Sequence, residues 1–95
     1  MNKEEKITQE KLKKYFEITQ EALAKAEKTV IKGKEKHADE IITMVENYLK
    51  DARYFKEKED FVNSFAAINY AHGWLDCGVR LGIFNVKDNK LFTVK

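Results

Sequence analysis

The sequence predicts an all-α protein: an antiparallel three-helix bundle followed by a short C-terminal extended or hairpin tail. Composition is the first reason. Of 95 residues 43% are hydrophobic and 36% charged, with no Pro and only four Gly, and Gly and Pro are the residues that helix interiors exclude. Three stretches with apolar residues at three- and four-residue steps are the second reason. Between them stand two short polar connectors, and short connections make antiparallel neighbours. The length suits one domain, taken as residues 1–95.

The first helix is predicted over about 9–31. Thr8 is its candidate N-cap, and Leu12, Phe16, Thr19, Leu23, Ala26 and Val30 form one stripe. Lys11, Lys13, Lys14, Glu17, Glu21, Lys25 and Lys28 lie mostly off that stripe as a solvated face. Lys32 to Lys36, containing Gly33, breaks the period and reads as a loop with a helix-ending glycine.

The second helix is predicted over about 37–58. Ala38, Ile41, Val45, Tyr48, Ala52 and Phe55, widened by Ile42 and Leu49, give a broad apolar face suited to packing between two neighbours. Glu57 to Glu59 is a charged connector. Asp60 is a candidate N-cap for the third helix, predicted over about 61–81. This helix is unusual, because Phe61, Phe65, Ile68, Leu75 and Val79 form one stripe while Val62, Ala66, Ala67, Tyr70, Ala71, Trp74 and Cys77 place apolar groups elsewhere. No Lys or Glu occurs between Phe61 and Val86. A helix apolar nearly all round is normally buried nearly all round, and two neighbours cover only about half of it. The tail, a second copy or a partner must cover the rest.

Gly82 before Ile83 and Phe84 suits a left-handed helix stop with a hydrophobic contact to the last turn. The tail, 83–95, alternates loosely, with Asp88-Asn89 as a turn candidate. Whether it packs on its own chain or on another is open at this level.

Charge and cysteine content narrow the function classes. Residues 1–60 carry 14 Lys/Arg and 14 Asp/Glu, and residues 61–95 only four and two. With signs interleaved, no block of positive potential of the kind phosphate backbones select is present, so nucleic acid is not an expected partner. Met1 to Lys6 leads into charged sequence without an apolar core segment, and no membrane span is evident, so the expected location is cytoplasmic. The single Cys77 offers neither an internal disulfide nor a thiolate zinc site.

One constellation merits a functional reading. Asn69, His72, Asp76 and Arg80 fall within about 80° of one another around the third helix. In the bland reading Asp76 bonds His72 and Arg80 and the row merely fixes helix packing. In the sharper one it is a ligand- or partner-docking row with a titratable His72, and Arg53 on the second helix is the expected cross-helix partner of Asp76. No catalytic set emerges, since Cys77 points about 140° away from His72. No di-iron pattern is present, and the His37–Glu40 pair at a helix start has the wrong order for one, so no metal or other cofactor is expected. Gly73 and Gly78 inside a helix each cost about 1 kcal/mol relative to Ala, which is better understood if another helix approaches there. Tyr70, Gly73, Trp74, Cys77 and Gly78 are therefore the candidate interface.

The stretch Tyr48 to Leu81 contains Asp51, Ala52, Tyr54 and Phe55, then Glu57, Lys58 and Asp60, and then Ala67, Gly73, Trp74, Asp76, Gly78, Arg80, Leu81 and Gly82. In these elements it resembles the archaeal family catalogued as domain of unknown function 357. The resemblance implies a small all-helical protein and leaves the activity open. A more distant likeness, through Ala52, Tyr54, Phe55, Asp60, Phe61 and Ala67, is to tetratricopeptide-type hairpins and to nucleotide-associated helical domains of the HEPN kind. One hairpin is too few for a repeat array, and neither Arg53 nor Arg80 is followed by the His that HEPN ribonucleases use. The sequence thus reads first as a non-enzymatic interaction module, expected to be a homodimer. The alternative is a small-ligand or HEPN-like site on the polar row.

Overall fold

The computed structural model describes residues 7–87 together with Leu91 and Phe92. It contains three helices: α1 (Gln9–Glu27), α2 (Glu35–Glu57) and α3 (Phe61–Arg80). Cross-contacts give their directions. Ala52 and Tyr48 of α2 meet Ser64 and Tyr70 of α3, numbers falling as partners rise, so α2 and α3 are antiparallel. Tyr15 and Thr19 of α1 meet Phe65 and His72, so α1 runs parallel to α3. The predicted up-down-up bundle results.

The caps follow from the sequence. Thr8 accepts from the Lys11 amide at 3.1 Å and Asp60 from the Asn63 amide at 3.2 Å, each satisfying a donor that the first helical turn leaves open. At the end of α3, Gly82 has φ +76°, the Ile83 amide bonds the Gly78 carbonyl at 2.8 Å and the Gly82 amide bonds Val79 at 3.2 Å. This is a Schellman stop, whose left-handed residue favours glycine. Gly33, at φ +92°, lies in the α1–α2 loop, where its amide donates to the Glu35 carboxylate. That contact lets α2 begin two residues earlier than its periodicity predicts.

The structure corrects the end of α1. The helix stops at Glu27 rather than near residue 31, because Thr29 to Ile31 become extended and pair with the tail. The Ile31 amide donates to Ile83 at 2.9 Å, the Asn85 amide to Thr29 at 2.8 Å, and Val30 and Phe84 form an antiparallel bridge. Val30 and Ile31 are β-branched, which makes them tolerant of extended backbone.

The tail closes the bundle in cis. Ile83, Phe84, Leu91 and Phe92 are all buried and join the main core with Ala22, Ala26, Ile41, Val45, Ala71 and Leu75. A second cluster, Leu12, Ala52, Ala67 and Ile68, fills the other end. There the buried Ser64 hydroxyl donates to the Ala52 carbonyl at 2.7 Å and joins α2 to α3. The Asp88-Asn89 turn candidate lies outside the described residues. No helix among the described residues is long and apolar enough to cross a membrane.

Candidate functional site

The polar row on α3 divides into parts with different surroundings. His72 is half-buried and held from two other segments: its Nδ1 lies 3.0 Å from the Thr19 hydroxyl of α1, and its Nε2 lies 2.5 Å from the Leu91 carbonyl of the tail. A carbonyl only accepts, so Nε2 carries a proton, and in the neutral imidazole Nδ1 then accepts from the Thr19 hydroxyl. Thr19 is 1% exposed, and this bond satisfies a hydroxyl that would otherwise be stranded in the core. The Phe92 ring sits 6.3 Å from the imidazole. His72 therefore ties α1, α3 and the tail together.

Asp76 is the next member. Its Oδ1 stands 3.9 Å from His72 Nε2, at the outer limit of an ion pair, and both side chains are partly exposed. Asn69 and Arg80 are exposed. Arg53 does not join the row, contrary to the sequence expectation. Ala52 faces Ser64, so Asp76 lies 12 residues farther along α3, about 18 Å away along the axis. Arg53 instead places its guanidinium 5.1 Å from the centre of the Phe16 ring on α1, a stacking geometry.

The five predicted interface residues also divide. Gly78 is buried, and a Cβ built there would fall 2.4 Å from Phe84 Cε2 and 2.7 Å from its Cδ2, with Ile41 Cδ1 at 3.1 Å. The close approach inferred for this glycine is real, but its source is the chain's own tail. Gly73 has nothing within 4 Å of the position a Cβ would take, so no contact among the described residues accounts for a glycine in mid-helix. Tyr70, Gly73, Trp74 and Cys77 are exposed and, with Asn69, line a hollow of about 550 Å³.

Those four belong to a longer feature that the sequence reading did not isolate. Val62, Ala66, Tyr70, Gly73, Trp74, Cys77 and Leu81 are all exposed, and at 100° per residue they share an arc of about 120°. They form a mainly apolar stripe about 28 Å long; exposed Asn63 and Arg80 fall within the same arc, Arg80 at its edge, and Asn69 and Asp76 border it on that side. Tyr70 stacks on Tyr48 of α2 at 5.3 Å, and Trp74 lines a second hollow with Asp39, Glu40, Thr43 and Met44 of α2. The Tyr48 contact holds the Tyr70 ring at the surface. The four-residue spacing was visible in the sequence; that the tail would seal the opposite face and leave this one open was not.

Comparison with known proteins adds one finding. A family model described as protein of unknown function (DUF357) matches residues 14–84, well over half of the chain, from α1 through α3 to Phe84. No curated protein and no solved structure matches it.

Proposed function

The chain belongs to the DUF357 family of proteins of unknown function, and from that premise we propose that it acts as a self-associating module, a homodimer joined through the exposed stripe of α3. The observation that carries this reading is Gly73. A glycine in the interior of a helix is destabilising by about 1 kcal/mol relative to Ala, and among the described residues nothing occupies the space beside it. A second helix crossing at Gly73 uses that space, with side chains seated in the hollow between Tyr70 and Trp74.

A second copy is the occupant the surface favours. A two-fold axis at Gly73, near the middle of the stripe, pairs each mainly apolar stripe with itself and keeps the Arg80 side chains of the two copies at opposite ends. Area supports the same choice. Val62, Tyr70, Trp74 and Leu81 are 69%, 63%, 37% and 68% exposed. With aromatic side chains offering about 150–250 Å² each, the stripe presents roughly 500 Å² per chain. Two copies then bury about 1,000 Å², the size at which a specific interface becomes sustainable. The polar border of Asn69, Asp76 and Arg80 has the character of an interface rim.

The test is proximity at the axis. With Cys77 replaced by Ser and Gly73 by Cys, mild oxidation should link two chains nearly completely, because the residue at a two-fold crossing faces its own copy at the short Cα separation a disulfide requires. A Cys at exposed Lys32 should link only slowly. Equal rates at the two positions would remove the reading.

A further inference from the structure

On the side of the bundle opposite the α3 stripe, α1 and α2 each lean on α3 and part from one another. The gap between them is a cleft of about 520 Å³ over the Ser64 position, about 160° around α3 from Val62 and Ala66. Its floor is apolar: Leu12 and Ala52 are buried, and Phe16 is half-buried. Lys13, Arg53 and Lys56 stand on its walls with Glu17 and Glu57.

We propose that this cleft binds a small amphipathic monoanion, an apolar chain or ring bearing one carboxylate or sulfonate, with the apolar body against Phe16 and the head group on Arg53. The volume lies in the range of small-molecule pockets, which pair a mainly apolar lining with a few placed polar groups. The Arg53 guanidinium is the placed group. It sits over the Phe16 ring in the cleft lining, and among the described residues no ion pair engages Arg53, Lys13 or Lys56. A planar guanidinium receives a carboxylate through two parallel hydrogen bonds. The two wall carboxylates leave a single excess positive charge, which suits one negative charge on the ligand and disfavours a small multiply charged anion without an apolar body. This site is independent of self-association, since none of its lining residues lies on the stripe.

Titration with decanoate, followed through backbone amide shifts, tests the proposal below the concentration at which the amphiphile aggregates. Saturable shifts are expected at Leu12, Phe16, Ala52 and Ser64. Decyltrimethylammonium, with the same tail and the opposite charge, should bind at least tenfold more weakly. Arg53→Gln is an exposed substitution that should leave the spectrum otherwise intact, and it should weaken decanoate about tenfold, the loss expected for a charge-assisted hydrogen-bonded pair. Four results would each overturn the proposal: no saturable shift, equal binding of the two amphiphiles, shifts centred on Tyr70 to Cys77, or an unchanged decanoate affinity in Arg53→Gln.

Discussion

Replacing Phe84 by Ala should lower the stability of the fold by about 3–5 kcal/mol, the range for removing a buried aromatic side chain. Phe84 is 2% exposed and the largest of the fully buried side chains. Its ring fills the space that Gly78 leaves on α3 and belongs to the same core cluster as Ile41, while its backbone holds the bridge to Val30. In a domain of this size such a loss shifts the melting midpoint by roughly 15–30 °C, which circular dichroism measures directly. Gly78→Ala should act in the same direction by about 2 kcal/mol, because the new methyl group overlaps a ring that the core prevents from moving. The two substitutions should not add. With Phe84 already reduced to Ala, Gly78→Ala meets no ring, and its intrinsic helix preference makes it neutral or mildly stabilising. A midpoint shift of only a few degrees for Phe84→Ala, or simple additivity, would contradict the packing of the tail on α3.

Gly73→Lys should abolish the proposed self-association while strengthening the single chain. The two effects have different origins. Within one chain the position is exposed, has helical backbone and has no neighbour within 4 Å of a Cβ. Exchanging Gly for a good helix former there should add about 0.7–1 kcal/mol. Between chains, a two-fold axis at this residue brings two ammonium groups into an apolar contact, where they repel one another and lose their hydration. Sedimentation should therefore give a single monomeric species at concentrations where the parent chain is dimeric, with a higher melting midpoint once both are compared as monomers. An unchanged mass for the variant would place the association elsewhere.

The contrast between Gly73 and Gly78 shows what was legible in the sequence. Both stand within α3, where a glycine suggests a close neighbour, but their surroundings differ: Gly78 meets the chain's own Phe84, and Gly73 faces open space among the described residues. Local sequence cannot tell these apart, since Phe84 reaches Gly78 only after the Gly82 stop reverses the chain. The helices themselves, and the caps at Thr8, Asp60 and Gly82, could be read because the three- and four-residue period and the capping chemistry are local. The end of α1 could not. Val30 continues the helical stripe, and only the tail, more than 50 residues later, offers the strand-like partner that draws it out of the helix.

The polar row shows the same limit. Asn69, His72, Asp76 and Arg80 were correctly placed on one edge of α3, as spacing alone requires. The partners of His72, Thr19 and the Leu91 carbonyl, lie on segments whose register no local pattern fixes. Thr19 carried one signal, a hydroxyl set within an apolar stripe, which calls for a buried bonding partner. An Arg53–Asp76 pair would need α2 and α3 to meet in a register about four turns from the observed one. Measuring from the 58–60 connector, where Ala52 meets Ser64, gives the observed pairing.

Self-association through α3 is the claim on which the functional reading rests, and the mass of the unmodified chain in solution tests it most directly. Light scattering coupled to size exclusion at micromolar concentration should return twice the 11.1 kDa of one chain. A monodisperse species at 11.1 kDa throughout the micromolar range would contradict it.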